Sequence, residues 1–304
     1  MKDKLRTLDE ALSPIGSGST IALGGSLLRR QPNAAVRALI RAGVRDLTVM
    51  TWAATTALDM LAAAGAVRRH EGIYAGMFNL GLAPNVRRGI EGGSIEVRDF
   101  SETAMVARLR AATQGLPSLP IRTLFGSDIA VRNTEQIREF TCPISGERLL
   151  AVAAAEADFT LIHGYVGDRY GNVQWPVVRD SDDVDQMMAT ASRRLIVTVE
   201  KIVHHDVVKR RPALTYIPGQ LVEAIVEVPN GAHPVAVDGF YDEDEAHLAG
   251  YVERCRSPEG AAAYLDEFVR APRDHDSYLG AVGGRERMAA LDVGPGLAAW
   301  ENVQ

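Results

Sequence analysis

The clearest pattern in the chain is a short apolar run, a glycine break and an amphipathic segment. The run Thr20–Leu23 has the unbroken hydrophobicity of a buried strand. A helical pattern begins at Pro32-Asn33, with apolar residues recurring every three or four positions. Proline suits a first helical turn because its missing N–H is not needed there. The pattern therefore predicts a strand, a glycine turn and a helix in succession.

The same alternation continues along the chain. Further strands are predicted over Leu47–Thr51, Ile73–Phe78, Ile95–Val97, Phe159–His163, Leu195–Val199 and Ala224–Val228. Helices are predicted over Leu5–Ile15, Thr56–Ala64, Thr103–Gln114 and Val184–Ser192, and near the C-terminus over Asp242–Arg256, Pro258–Val269 and Arg285–Ala290. Alternating strands and helices predict an α/β fold: an open, mainly parallel sheet with helices on both faces and the C-terminal helices packed on it. We expect one domain over residues 1–290 and a loosely held tail over 291–304.

Composition narrows the class of protein. The chain has 304 residues and a net charge of −6, which gives nucleic-acid binding no electrostatic support. The N-terminus lacks the apolar core of a signal peptide, and the longest apolar run, Leu149–Ala155, is too short to cross a bilayer. Cys142 and Cys255 are widely spaced and indicate free thiols. We expect a cytoplasmic protein without a membrane or nucleic-acid partner.

The glycine turn is the first candidate site. A strand, turn and helix in succession place backbone N–H groups at the carboxyl edge of a sheet. Gly24, Gly25 and Ser26 would let a ligand approach the main chain, and Arg29 and Arg30 would add positive charge for an anionic or thioester-bearing ligand. The alternative is an ordinary turn with two solvated arginines, and the residues alone leave both open.

Glu102 is the second candidate. Ser101 is a suitable N-cap, so Glu102 falls in the first turn of the predicted helix, where an acid simply complements the helix dipole. The same position follows a strand, so the side chain is also expected at the crevice along the carboxyl edge of the sheet. A carboxylate stabilised by the dipole is ionised at neutral pH, which suits a nucleophile or a base.

Other polar positions allow two interpretations each. Asn79 ends a predicted strand, and Gly126-Ser127-Asp128 is either another loop at the ligand edge or a capping turn. His163 and Asp168 are typical of packing and hydrogen bonding at a strand end. We interpret the acidic clusters Asp180–Asp185 and Asp238–Glu245 as solvated loops or helix starts.

Known motifs are largely absent from the sequence. Gly16-Ser17-Gly18 precedes its strand and lacks a third glycine, which excludes a dinucleotide fingerprint. The sequence has no Gly-x-Ser-x-Gly elbow, no Walker loop and no His-Glu-x-x-His motif. Metal binding at His204-His205-Asp206 is not expected, because adjacent side chains diverge, and we predict no metal site.

Several segments together resemble a known family. Gly24–Pro32 resembles the glycine-then-Arg-x-Pro turn of the α subunits of family I CoA-transferases, the glutaconate type in particular. Glu156–His163 and Gly167–Asn172 resemble their Ala-Asp…His…Asp-x-x-Gly-Asn region. Further matches in the same order are Ile196–Val203, Ile217–Pro218, Val222–Pro229 and Gly231–Pro234. The resemblance implies an open α/β sheet of the kind shared with sugar-phosphate isomerases, and a β subunit with which αβ pairs assemble.

The resemblance also implies a reaction. In this family a carboxylate attacks an acyl-CoA thioester, an enzyme–CoA thioester follows, and coenzyme A passes to a second acid. The nucleophile is a glutamate of the β subunit in a Glu-x-Gly type motif. Glu91-Gly92-Gly93 has those letters but lies in a predicted helix-to-strand turn. The chain is therefore expected to supply part of a pocket for acyl-CoA, with no cofactor beyond the coenzyme A of the substrate.

A related family implies a different role. The chain also resembles the α subunit of the actinobacterial steroid ring-opening CoA hydrolase at Arg29-Arg30-x-Pro32, at Arg122 and at Gly126-Ser127. Glu102 matches the glutamate that this α chain contributes as a base in carbon–carbon hydrolysis. The resemblance thus favours the α subunit of a CoA-transferase, with that of the hydrolase or a non-catalytic binding protein as alternatives. It assigns Glu102 to catalysis, and substrate contacts to Gly24, Gly25, Ser26, Arg29, Arg30, Asn79, Arg122 and Ser127.

Overall fold

The computed structural model describes residues 2–176 and 183–294. Its strands are β1 (Thr20–Ser26), β2 (Leu47–Ala54), β3 (Val67–Gly72), β4 (Tyr74–Ala75), β5 (Glu96–Asp99), β6 (Ser118–Ile121), β7 (Ile137–Thr141), β8 (Arg148–Ala153), β9 (Phe159–Asp168), β10 (Val173–Gln174), β11 (Leu195–Val203), β12 (Thr215–Ile217) and β13 (Val222–Glu227). Its α-helices are α1 (Leu8–Leu12), α2 (Asn33–Arg41), α3 (Thr56–Ala63), α4 (Pro84–Glu91), α5 (Glu102–Thr113), α6 (Asp128–Arg132), α7 (Val184–Ala191), α8 (His205–Arg210), α9 (Glu245–Arg254), α10 (Pro258–Leu265), α11 (His275–Ala281) and α12 (Gly284–Leu291). Short 3₁₀ turns lie at Phe78–Leu80 and Pro212–Leu214, and Asp266–Arg270 forms a π-helical turn.

The main sheet is mostly parallel. Seven strands run in the order β13-β11-β9-β1-β2-β3-β5, and every neighbouring pair among them is parallel. The short strand β4 continues beside β2 where β3 has ended. At the end of β9, β10 and then β12 add antiparallel partners. The predicted open, mainly parallel sheet is confirmed.

Alternate residues of the central strands pack on opposite faces of the sheet. Ile21, Leu23 and Val49 share one apolar core with the helices α2 and α3. Ala22 and Met50, which are partners in the β1–β2 register, share a second core with α5 and α7. Because strand side chains alternate, an unbroken apolar run means that both faces are covered. This confirms the helices on both faces.

The C-terminal helices complete the first of these cores. Tyr251 from α9 and Tyr264 from α10 are buried in the same cluster as the residues of α2 and α3. The helices therefore pack on the sheet domain, as predicted. The tail predicted over 291–304 begins at the last residue of α12, and positions 295–304 lie outside the described residues. The division into one domain and a tail stays a prediction.

Two parts of the sheet prediction are wrong. Of the strand predicted over Ile73–Phe78, only the two-residue β4 (Tyr74–Ala75) forms, and Phe78 begins a 3₁₀ turn. The longer strand β3 lies before it and was missed, because four of its six residues are charged or histidine and it shows no apolar run. These polar side chains are held in ion pairs, such as Arg69 with Glu96 on β5 at 2.8 Å. A second sheet, the antiparallel β6-β8-β7, was not predicted, because its strands are short and largely exposed.

Candidate functional site

The glycine turn is a tight hairpin at the end of β1. Ser26 and Arg29 exchange two backbone hydrogen bonds, at 3.0 and 2.9 Å, so that only two residues form the loop. Gly25 and Leu27 both have positive φ, at 80° and 49°. The N–H of Leu27 donates to the carbonyl of Ala53 on β2 at 2.8 Å. The turn is thus fixed to the neighbouring strand at the carboxyl edge of the sheet.

Asp185, near the start of α7, binds both the main chain and an arginine of this turn. Its Oδ1 accepts the N–H of Gly25 at 2.8 Å, and its Oδ2 lies 3.3 Å from the guanidinium of Arg30. The amides of Gly25, Ser26 and Leu27 therefore all have partners within the protein. These N–H groups are not open to an anionic ligand in the way that the sequence suggested.

The two arginines of the turn also have partners. Arg29 forms ion pairs with Asp238 at 2.9 Å and Glu243 at 2.7 Å. Arg30 is 2% exposed and lies between Asp185 and Asp238, with the hydroxyl of Tyr165 at 3.3 Å. Arg30 is therefore not a solvated arginine, and its charge stabilises the turn. Its role as a substrate contact stays a prediction.

The acidic residues around the turn correct one interpretation. Asp185 is 3% exposed and binds the turn, so the interpretation of Asp180–Asp185 as a solvated loop is wrong at that position; residues 180–182 lie outside the described residues. Asp244 does begin a helix, because it is the N-cap of α9. The sequence offered one signal for Asp185, namely two adjacent arginines in an apolar turn that need carboxylates.

Glu102 is the first residue of α5. The hydroxyl of Ser101 accepts the N–H of Ala104 at 3.2 Å and caps the helix, as predicted. The Glu102 side chain is exposed and forms no hydrogen bond or ion pair with any described residue. It follows the outer strand β5, three strand spacings or about 14 Å from β1. This chain therefore places Glu102 at the carboxyl edge but apart from the glycine turn.

The remaining predicted contacts are spread along the same side. Asn79 is exposed in the 3₁₀ turn after β4, between Phe78 and Leu80. Ser127 directly precedes α6, and Asn133 after that helix donates to the carbonyl of Asp99 at 2.8 Å, beside the strand that leads to Glu102. Arg122 is exposed and binds Glu147 at 2.8 Å in the small sheet. Ser127 therefore lies near the edge of the sheet at β5, whereas Arg122 lies at the small antiparallel sheet, directly after β6.

The histidine candidates are used in packing. His163 is fully buried, with Nδ1 at 2.8 Å from the hydroxyl of Thr198 and Nε2 at 2.6 Å from Glu200. His205 Nδ1 lies 2.6 Å from Asp168, which also accepts backbone N–H groups of its own turn. Over residues 2–176 and 183–294 no group of three or more His, Cys, Asp or Glu side chains could hold a metal ion. In the same ranges no helix has the length and apolarity to span a bilayer.

The chemistry available to this chain alone follows from that geometry. An exposed carboxylate without neighbours can accept a proton from water or substrate, but water screens its charge. Catalytic carboxylates act in sites from which water is largely excluded. The described residues around Glu102 provide no enclosing wall, so a second surface is needed to complete the site.

Comparisons with known proteins identify the family. Residues 5–228 match the Coenzyme A transferase family. The A subunit of glutaconate CoA-transferase from Acidaminococcus fermentans is 33% identical over 97% of this chain and 96% of that protein. The crystal structure of that enzyme superposes with a TM-score of 0.89 at 31% identity, covering 96% of each chain.

Two further relatives of similar identity are not named as CoA-transferases. The cholesterol ring-cleaving hydrolase IpdA subunit of Rhodococcus jostii is 33% identical over 90% of this chain and 94% of that relative. An uncharacterized protein of Archaeoglobus fulgidus is 36% identical over 96% of this chain, which spans 65% of that relative's length. The resemblances inferred from the sequence are therefore confirmed for both the transferase and the hydrolase. The chain belongs to the coenzyme A transferase family.

Proposed function

We propose that this chain is the α subunit of a heteromeric enzyme that transfers coenzyme A between carboxylic acids. The observation that carries the proposal is the match, over nearly the whole chain, to a protein named as the A subunit of glutaconate CoA-transferase. The exposure of Glu102 supports it, because an acid at the sheet edge needs a second chain to enclose it. The αβ pair would act on acyl-CoA and use no cofactor beyond the coenzyme A of its substrate.

In this proposal the α subunit contributes a wall of the acyl-CoA site. A carboxylate from the β chain attacks the thioester carbonyl and expels the CoA thiolate, which leaves an anhydride between the acyl group and the enzyme. The thiolate then attacks the enzyme-side carbonyl of that anhydride, which releases the first carboxylic acid and forms an enzyme–CoA thioester. The acceptor carboxylate takes coenzyme A from this thioester by the same two steps in reverse, and the β-chain carboxylate is regenerated. The turn at Gly24, Gly25 and Ser26 supplies a rigid border to that site, together with Asn79 and Ser127. We place the enzyme in the cytoplasm, which agrees with the free thiols of Cys142 and Cys255.

A second candidate is hydrolytic carbon–carbon cleavage of a ring on a CoA thioester, with Glu102 as the base. Two observations favour it: the similarity to the IpdA chain of the cholesterol ring-cleaving hydrolase, and a carboxylate at position 102 that no described side chain engages. Such a carboxylate is available to take a proton from water as it attacks. A ligand-binding protein without turnover is the remaining alternative.

One experiment separates these functions. The chain is co-expressed with the β-type chain encoded beside its gene, and the pair is given acyl-CoA esters with acetate as acceptor. Transfer produces acetyl-CoA; ring cleavage produces a CoA ester heavier by one water. Failure to produce either with a purified pair would contradict both enzymatic proposals.

The role of Glu102 is tested in the same pair. Glu102→Gln should slow ring cleavage by about 10²–10⁴-fold if the carboxylate is the base. Glu245→Gln is the matched control, because Glu245 is likewise exposed and is the first residue of its helix. An unchanged rate in Glu102→Gln would remove Glu102 from catalysis and leave the transferase proposal standing.

A further inference from the structure

Leu27, Ala53 and Tyr74 form a row across the carboxyl edge of the sheet, which we call the edge row. Leu27 belongs to the glycine turn, and its N–H donates to the carbonyl of Ala53 at 2.8 Å. Ala53, near the end of β2, pairs in turn with Tyr74 on β4. Because neighbouring strands lie about 4.8 Å apart, the three residues span about 10 Å. The edge row therefore begins at the glycine turn and runs towards β5.

The edge row lies on the apolar core that the sheet shares with α5 and α7. Ala53, Trp52 and Phe100 are buried in that core, and Leu27 and Tyr74 pack against it. Leu27 and Tyr74 themselves are only half-buried. Apolar surface that stays accessible beside a candidate site can take up the apolar part of a ligand.

The ring of Tyr74 is fixed by residues that follow it in the chain. Its hydroxyl accepts the N–H of Phe78 at 3.3 Å. A Cβ added at Gly76 would lie 2.6 Å from the ring carbon that bears this hydroxyl, so the ring approaches the main chain there. Phe78 begins the 3₁₀ turn that carries Asn79, one of the substrate contacts expected from the sequence. The edge row thus leads from the glycine turn to the segment of Asn79.

The two cations beside the edge row are held by carboxylates. Arg29 pairs with Asp238 at 2.9 Å and with Glu243 at 2.7 Å. Arg30 lies 3.3 Å from both Asp185 and Asp238. Three carboxylates therefore surround two guanidinium groups among the described residues. A carboxylate of a ligand could bind either arginine only by displacing one of these internal acids.

Glu102 adds a further negative charge at the carboxyl edge of the sheet. Its side chain is exposed and has no partner among the described residues. A free carboxylate in the acyl group of a substrate would lose hydration at this edge and meet acids there, with no unengaged cation beside the edge row to compensate. An alkyl group, by contrast, gains free energy when it leaves water for an apolar surface.

We propose that the acyl group bound by this subunit is uncharged and that its apolar part lies against the edge row. The substrate class is then the CoA thioester of a monocarboxylic acid with an alkyl or alicyclic chain. A second carboxylate in the acyl group is selected against. This inference rests on the proposed transferase function, since it names the acyl group that the shared site takes.

The charge preference is tested with two CoA thioethers of the same shape, which bind but do not react. S-(5-methylhexyl)-CoA ends in an isopropyl group, and S-(4-carboxybutyl)-CoA has a carboxylate in its place. Calorimetry on the purified αβ pair at pH 7 gives both dissociation constants. The neutral thioether should bind at least about tenfold more tightly. Equal or tighter binding of the carboxylate would overturn the inference, as would absence of binding by both.

Turnover of the corresponding esters separates this inference from the proposed function. The pair is given 5-methylhexanoyl-CoA or glutaryl-CoA with acetate, and acetyl-CoA is measured. If neither ester yields acetyl-CoA while the neutral thioether binds more tightly, the transferase proposal fails and the uncharged ligand stands. If glutaryl-CoA is the better donor and its thioether binds as tightly as the neutral one, the transferase proposal stands and the inference fails.

A leucine variant tests the edge row itself. Leu27→Ala should weaken binding of S-(5-methylhexyl)-CoA about three- to tenfold, because apolar surface is lost under the alkyl chain. Leu116→Ala is the matched control, since Leu116 is 40% exposed and follows the opposite end of α5. The control should bind as the wild type does. If Leu27→Ala also keeps the wild-type affinity, the alkyl chain does not lie on the edge row and the inference is wrong.

Discussion

The carboxylate of Asp185 accepts the backbone N–H of Gly25 at 2.8 Å and lies against the residue before it. A Cβ added at Gly24 would be 2.7 Å from Asp185 Oδ1 and 2.9 Å from a side-chain carbon of Ile162. Position 24 therefore requires glycine because a carboxylate approaches the main chain closely. The partner of the glycine turn is this internal acid, and its charge is balanced by Arg30.

Gly24→Ala should destabilise the fold by about 1–3 kcal/mol, because the new methyl group overlaps both neighbours. Gly250→Ala is the control: Gly250 lies within α9, and an added Cβ there meets nothing within 4 Å. The control should stabilise by about 0.5–1 kcal/mol through helix propensity. Urea unfolding of both variants measures the difference. Equal midpoints for Gly24→Ala and the wild type would contradict the close approach of Asp185.

Asp59 and Tyr251 connect the sheet domain to the C-terminal helices. The Tyr251 hydroxyl donates to Asp59 at 2.6 Å, and the same carboxylate accepts the N–H groups of Asn85 and Val86 at the start of α4. Burial raises the pKa of Asp59, and these donors oppose that shift. The carboxylate therefore depends on every donor that it has.

Tyr251→Phe should cost about 1–3 kcal/mol of unfolding free energy, because it removes one donor from a buried carboxylate and keeps the ring. Tyr170→Phe is the matched control, since the Tyr170 hydroxyl forms no hydrogen bond with the described residues. The control should lie within about 0.5 kcal/mol of the wild type. Thermal unfolding at pH 7 compares the two, and equal losses would show that the Asp59 contact is not stabilising.

The two longest strands that the structure describes were predicted from the sequence, and their predicted parts are buried on both faces. Phe159–His163 and Leu195–Val199 are mostly apolar, and they lie in the buried parts of β9 and β11. The strand β3 escaped prediction because its polar side chains are satisfied by ion pairs with β5 and α5, such as Glu71 with Arg108 at 2.9 Å. A hydrophobic pattern reports only which positions are buried among apolar residues. A strand near the sheet edge whose polar side chains form ion pairs therefore shows no such pattern.

In the candidate site, too, the sequence predicted local features and missed contacts between distant residues. The sequence placed Glu102 at a capped helix start after a strand, because Ser101 and the strand before it are local signals. The contact between Asp185 and Gly25 joins residues 160 positions apart. The same holds for His70 and Val97, which become partners only through the β3–β5 register. A single sequence can indicate that a group such as an arginine needs a partner, but it does not specify which distant residue that partner is.

His70 should make stability depend on pH. Burial lowers its pKa to about 4, whereas an unfolded histidine takes up its proton near pH 6.5. Between these values the unfolded chain binds more protons than the folded chain, so stability falls as pH falls from about 6.5 to 4. The contribution of this one residue amounts to about 3 kcal/mol over that window.

The variant His70→Gln should remove this part of the pH dependence. Unfolding free energies of variant and wild type are measured by urea denaturation between pH 4 and 8. Above pH 7 His70 is neutral in both states, and the two curves should run parallel. Below pH 6.5 the wild type should lose stability more steeply. Parallel curves over the whole range would contradict a buried neutral imidazole at position 70.

Phe78 and Leu82 are expected to lie in the contact with the β subunit that we propose. They are 59% and 58% exposed on either side of the turn that carries Asn79, at the side of the chain where Glu102 lacks a wall. Large apolar side chains that stay exposed beside an incomplete site are typical of an interface. Phe78 has a φ of 54°, which asparagine tolerates well.

Phe78→Asn should weaken association of the αβ pair by about 1.5–3 kcal/mol, roughly ten- to a hundredfold in Kd, because an apolar contact is lost. Its effect on the stability of the α chain should be small, since the ring is exposed. Ile144→Asn is the control: Ile144 is 94% exposed in the loop between β7 and β8, and loses a comparable apolar surface. Sedimentation of the purified pair gives both dissociation constants. If Ile144→Asn weakens the pair and Phe78→Asn does not, the β subunit contacts the small antiparallel sheet. The turn at Phe78 is then not part of the interface, and the surface that encloses Glu102 lies elsewhere.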